Sequence, residues 1–170
     1  MTSEETRHRA EMLFAEALRE QQAERYDTAI DLYQRSIAAF PTAEAHTFLG
    51  WAYSFQGRFD EAIAECHRAI SVDPSFGNPY NDIGSYLMKQ GKLEDAIPWL
   101  ERAKAAPRYE PRHYPYLNLA RLYLAQGRFE DARREFSQAQ FLEESLIRPH
   151  ATHHHERSAQ AEAGGEESVH

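Results

Sequence analysis

Apolar residues recur at three- and four-residue steps along most of the chain. Phe48, Leu49, Ala52, Tyr53 and Phe55 form one such run, and Ile63, Cys66, Ala69 and Ile70 form the next. That spacing gathers side chains on one face of an α-helix, whereas a half-buried strand would alternate. Between the runs stands Gly57, and glycine enters the left-handed conformation at a helix end without a Cβ penalty. Asp60 and Glu61 follow it, where carboxylates favour the positive end of a helix dipole. Asp73-Pro74 closes the second helix, because a residue before proline is pushed out of the helical region. Phe40-Pro41 does the same one unit earlier. The pattern predicts two amphipathic helices over residues 43–76.

This helical pair is repeated. Gln56-Gly57-Arg58-Phe59-Asp60-Glu61-Ala62 recurs as Gln90-Gly91-Lys92-Leu93-Glu94-Asp95-Ala96 and as Gln126-Gly127-Arg128-Phe129-Glu130-Asp131-Ala132. Ala23-Glu24-Arg25-Tyr26-Asp27-Thr28-Ala29 is a worn first copy. The closing alanines stand about 33, 34 and 36 residues apart. A second series, Ala17, Gly50, Gly84 and Ala120, keeps the same spacing. Small residues let two helix axes approach closely, so Gly50 is expected opposite Ala62 and Gly84 opposite Ala96. The organisation that follows is a flexible segment 1–9, units 10–42, 43–76, 77–112 and 113–147, and a tail 148–170. The turn within 77–112 is lengthened and rich in proline and aromatic residues: Pro107, Pro111 and Pro115 alternate with Tyr109, His113, Tyr114 and Tyr116. Such a turn packs against the next helix or forms a contact lip, and packing is the favoured expectation.

The repeated positions resemble the tetratricopeptide repeat family over about residues 10–146. They are Leu49, Gly50, Tyr53, Ala62, Ala69 and Pro74 in unit two, and Tyr80, Ile83, Gly84, Leu87, Ala96, Leu100 and Ala103 in unit three. Unit four has Tyr116, Leu119, Ala120, Tyr123, Ala132, Phe136 and Ala139, and unit one matches through Leu13, Ala17, Ala29, Tyr33, Ser36 and Pro41. Glu20 departs from the pattern, standing where an aromatic is expected. The resemblance implies an all-α fold, an α-solenoid of about four stacked antiparallel helix pairs with a disordered C-terminal tail. It also implies a concave face, lined by the first helix of each unit, that holds an extended peptide or a partner helix. Carried onto this chain, the face comprises Phe14 and Leu18, then Thr47, Trp51, Ser54 and Phe55, then Asn78, Asn81, Ser85, Met88 and Lys89, then Leu117, Asn118 and Arg121. Its first half is apolar and its second half polar, with Arg121 free to pair a carboxylate. Trp and Arg are common hot-spot residues. The set of cations with which some family members hold a chaperone's C-terminal carboxylate is not matched. The corresponding positions read Phe14, Leu18, Phe48, Asn78 and Asp82, so heat-shock chaperone tails are not the expected ligand.

Composition narrows the function further. The chain has 170 residues and 42% apolar content, enough for a single core without disulfides. It holds one cysteine, Cys66, in a buried helical slot, which leaves no disulfide and no cysteine-based zinc site. A net charge of -8 argues against a polyanionic partner, so no nucleic acid is expected. No apolar run approaches the roughly 20 residues a membrane span needs, and the start MTSEETRHRAEM lacks a signal-like apolar core. A cytoplasmic, non-membrane protein is the expectation. No phosphate loop, nucleophile elbow or HExxH motif occurs, and the carboxylate pairs recur in three of the four units as helix starts do, so neither an enzyme nor a cofactor is expected. His46 and His67 lack a third ligand, which disfavours a metal. The tail carries His150, His153, His154 and His155, a weak candidate for adventitious metal binding. The expected function is a scaffold that binds a protein or peptide segment. A homo-oligomer is the alternative, because Phe141, Leu142, Leu146 and Ile147 carry the apolar pattern past unit four with no polar capping helix.

Overall fold

The computed structural model describes residues 1–147. Eight helices follow one another: α1 (Ser3–Gln22), α2 (Tyr26–Ala39), α3 (Ala43–Phe55), α4 (Phe59–Val72), α5 (Asn78–Lys89), α6 (Leu93–Ala105), α7 (Tyr114–Ala125) and α8 (Phe129–Ile147). There is no strand among the described residues; one isolated bridge joins Phe76 to Arg108.

The turn inside each pair explains the repeated glycine. Gly57, Gly91 and Gly127 have φ of 72°, 76° and 73°. Arg58, Lys92 and Arg128 then donate their backbone N–H groups back to the carbonyls of Tyr53, Leu87 and Tyr123. These bonds close the last helical turn and satisfy carbonyls that the helix end leaves free. Glu24 takes the same place in the first unit with φ of 59°, so the worn copy keeps the fold without the glycine. A second repeated bond ties neighbouring units. Gln56 Nε2 donates to Asp27 Oδ1 at 2.8 Å, Gln90 Nε2 to Asp60 Oδ1 at 2.7 Å, and Gln126 Nε2 to Glu94 Oε1 at 2.5 Å.

The small residues mark the closest approaches. A Cβ added to Gly50 would lie 2.9 Å from the Ala62 carbonyl oxygen, as its expected pairing requires. At Gly84 the tightest neighbour is Leu100. An added Cβ would meet Leu100 Cγ and Cδ2 at 2.5 Å, because the larger Leu100 fills the space that Cys66 leaves in the preceding unit. Core packing runs continuously through the stack. One cluster extends from Leu13 on α1 to Tyr86 on α5, a second from Ala96 to Ala132, and Leu87 packs against both.

The stack is curved. The backbones of α1, α3, α5 and α7 each approach the next of their own series, whereas among the second helices α4 meets α6, and α6 meets α8, only through side chains such as His67 with Trp99 and Lys104 with Glu135. The first helices of the pairs therefore line the inner side.

One further feature differs from the sequence expectation, and another agrees with the favoured one. Residues 3–9, expected to be flexible, are the first turns of α1. Thr2 caps them: its hydroxyl accepts from the Glu5 N–H, and the Glu5 carboxylate accepts from the Thr2 N–H. The long turn folds back on the α4–α5 connection and does not project. Gly77 N–H donates to the Arg108 carbonyl at 2.9 Å, and Arg108 N–H to the Ser75 carbonyl at 3.0 Å. Arg108 also pairs with Glu44 and Asp73. Ser75 and Arg108 together hold the Asp73 carboxyl down to about 2. Tyr109 is only 4% exposed, so packing prevails over a contact lip at that residue. It lies against Gly77, where an added Cβ would come 2.5 Å from Tyr109 Cβ. Pro98 sits within α6, which runs on through it.

Candidate functional site

A pocket of about 330 Å³ opens on the inner side, where three helices and the long turn meet. Helix α3 supplies Thr47, Phe48 and Trp51, and α5 supplies Asn78, Asn81 and Asp82. The turn adds Tyr109 and Pro111, and α7 adds Tyr114. On α3 and α5 these residues stand three and four apart, so a single helical face projects each set. The folded-back turn completes the wall.

Trp51 is 44% exposed, and Tyr114 and Phe55 are also open to solvent. Trp51 belongs to an aromatic row. Its ring centroid lies 5.6 Å from Phe48 and 5.5 Å from Phe55, and Phe55 stacks on Tyr26 at 5.0 Å. Such contacts hold the large side chains in place before any partner arrives.

The structure brings only some of the expected face residues together. Trp51, Asn78 and Asn81 line the pocket, and Thr47 joins them with its hydroxyl already donated to the Ala43 carbonyl at 2.7 Å. Asn118 and Arg121 continue the polar side. Asn118 Nδ2 donates to Asn81 Oδ1 at 2.9 Å, and exposed Arg121 reaches Asn118 Oδ1 at 3.5 Å. Ser54 donates its hydroxyl to the Trp51 carbonyl at 2.6 Å, while Ser85 and Leu117 are half-buried outside the pocket wall. Phe14 packs inward, 5.6 Å from Tyr33 and 5.3 Å from Phe48, and contributes to a separate cavity with Arg7, Ala10 and Phe40. Leu18 is half-buried and lies outside both sets of lining residues. The apolar half of the face is thus narrower than the register implied, centred on Trp51 and Phe55.

Sequence reasoning did not select Asp82 for the face. Burial pushes its carboxyl up to about 7, and the Asn81 amide counters this in part. Asp82 in turn raises Tyr86 and Tyr109, both already raised by burial. The available signal was its register: Asp82 occupies the position of Phe48 and Asn118 in the neighbouring units, one residue from buried Ile83.

Other ionisable groups are structural. His46 Nδ1 and Glu65 Oε2 lie 2.7 Å apart in the interior, and Arg68 also pairs with Glu65. Cys66 is fully buried; burial, then the charges of Asp82 and Glu65, push its thiol well up, away from the nucleophilic thiolate. No cluster of three or more His, Cys, Asp or Glu side chains stands ready for a metal among the described residues. His150, His153, His154 and His155 lie outside those residues. No described helix is long and apolar enough to cross a membrane.

A tetratricopeptide repeat model matches residues 14–79 and 117–167, and a second tetratricopeptide repeat model matches residues 75–140. The chain belongs to the tetratricopeptide repeat family. Among curated tetratricopeptide relatives is the small glutamine-rich tetratricopeptide repeat-containing protein 2 of Mycosarcoma maydis. It is 31% identical over 96 residues, covering 56% of this chain and 27% of that protein. The chain therefore spans about a quarter of that relative's length. Among solved structures, MamA superposes with a TM-score of 0.70 at 21% identity, covering 81% of this chain and 80% of MamA. The first tetratricopeptide repeat domain of Spaghetti (RPAP3), bound to the HSP90 peptide SRMEEVD, superposes with a TM-score of 0.63 at 24% identity. It covers 71% of this chain and 94% of that one. These likenesses establish a shared tetratricopeptide solenoid.

Proposed function

We propose that this protein is a non-enzymatic scaffold that holds an extended protein or peptide segment along the inner side of α3, α5 and α7. One observation carries this reading: Trp51 stands 44% exposed, fixed by Phe48 and Phe55, at the rim of a preformed pocket on the curved side. A large aromatic held in one orientation offers contact area at low entropic cost. The polar side, Asn78, Asn81, Asn118 and Arg121, supplies donors and acceptors for a peptide backbone. The peptide in the Spaghetti domain carries two Glu and one Asp. In this chain the pocket wall holds Asp82 and no Lys or Arg, so a different ligand chemistry is expected. The test is partner capture from a lysate by wild type beside Trp51→Ala and Arg121→Ala, with helical circular dichroism recorded for each. Loss of the captured partner with an unchanged spectrum supports the face, and equal capture by all three refutes it.

A second reading, self-association through the last repeat, is favoured by Phe136. The same position in units one to three holds Tyr33, Cys66 and Leu100, each 0% exposed, yet Phe136 is 39% exposed. No described helix follows α8 to cover it. Arg133 stands where the earlier units carry Ile30, Ile63 and Ile97, so this end is only partly apolar. Sedimentation at micromolar concentration separates the readings: a monomer removes the second, and a dimer that Phe136→Ser dissociates supports it.

A further inference from the structure

We propose that the pocket beneath Trp51 receives a cationic side chain, a lysine or arginine of the bound segment, which pairs with the Asp82 carboxylate. The inference deepens the reading of the inner face as a peptide site and rests on it.

The other enclosed carboxylates among the described residues have their cations. Glu65 is paired by Arg68, Glu135 by Lys104, and Asp73 by Arg108. No described Lys, Arg or His pairs with Asp82, and none contributes to the pocket wall. A carboxylate taken from water is costly unless it is paired or hydrogen-bonded. An incoming ammonium or guanidinium supplies the missing partner.

The rest of the wall suits the same guest. Phe48, Trp51, Tyr109 and Tyr114 are aromatic, and a ring face attracts a cation within about 6 Å of its centroid. The long methylene stem of Lys or Arg can lie along these rings while its head reaches Asp82. Asn78 offers a further acceptor oxygen, whereas Asn81 Oδ1 is engaged by Asn118. The volume of about 330 Å³ is at the low end of small-ligand pockets, which suits one side chain. Competing guests fit less well. An acidic side chain would meet like charge, and an apolar one would strip water from Asp82 and return no pairing. A metal ion would find one carboxylate where three or four ligands are needed.

The test uses the full chain to select from an unbiased library of displayed nonapeptides, with Trp51→Ala and Asp82→Asn selected in parallel. The expected result is a set of binders that Trp51→Ala fails to enrich, with Lys or Arg dominant at one position. Asp82→Asn, which keeps the shape and removes the charge, should still enrich peptides but without the basic preference. If no Trp51-dependent binders emerge, the peptide-site reading fails and this inference falls with it. If Trp51-dependent binders emerge without a basic preference, or Asp82→Asn keeps that preference, only this inference is overturned. A second measurement needs no protein variant. Replacing the selected Lys by norleucine, which keeps the stem and removes the charge, should weaken a synthetic binder about tenfold or more. Equal affinity of the two peptides would also overturn the proposal.

Discussion

Asp82→Asn should stabilise the protein, and more so as pH rises. The reasoning starts from the carboxyl, which burial moves from an ordinary 3.8 up to about 7. Below about pH 4 the group is protonated in both folded and unfolded chains and has no effect on the balance. Between about pH 4 and 7 the unfolded chain releases this proton while the folded chain keeps it, so folding loses stability as pH rises. Above the folded value both states are ionised and the loss is complete. At about 1.36 kcal/mol per unit, a shift of about 3 units amounts to about 4 kcal/mol across the whole window. Asn has nearly the same shape and no such titration. From pH 5 to pH 8 the advantage of the variant over wild type should therefore grow by about 2–3 kcal/mol. Urea unfolding followed by helical circular dichroism at the two pH values measures it. Using the difference between the two proteins cancels groups such as Asp73, whose lowered value acts in the opposite sense at acid pH. An advantage that stays constant, or a wild type that gains on the variant toward pH 8, would refute the argument. The expected result also explains why such a residue is informative. A charge that weakens the empty fold is at its most favourable only when something arrives to pair it.

Two other outcomes test the fold itself. Glu24→Gly should raise stability by about 1 kcal/mol, because Glu24 holds the left-handed conformation that the other three units give to glycine; a destabilised variant in urea unfolding would count against this. Tyr109→Ala should cost about 3 kcal/mol, the scale of emptying a buried aromatic site, since Tyr109 is almost fully enclosed against Gly77 and Ala106. An unchanged unfolding midpoint would instead make the long turn an external lip.

Periodicity made the helix pairs legible, because a small residue at each crossing and a glycine at each turn leave marks that recur at one spacing. The position of Gly50 against Ala62 follows from that spacing alone. The crowding of Gly84 by Leu100 does not, since it depends on the size of Leu100 where a neighbour has Cys66. The early start of α1 was written in Thr2 and Glu5, a capping pair three residues apart, but the polar composition around it reads as a loose end. The pocket was least legible. Trp51 and Asn81 share an inward register that repeats reveal, yet the pocket also needs Tyr109 and Pro111, delivered by a turn with no counterpart in the other units. No pattern in the sequence joins Asp82 to that turn.

The glutamine bonds between units all sit at the same end of the helix pairs, beside the glycine turns. They bind the stack as a spine binds pages. The opposite margin is clasped as well, at Arg108, which fastens the Pro107 turn to Glu44 and to the Asp73 connection. Leaves held along both margins cannot fan apart, so the trough should keep its width when a guest arrives. A guest must then match a fixed girth, which favours a slender, extended strand of chain.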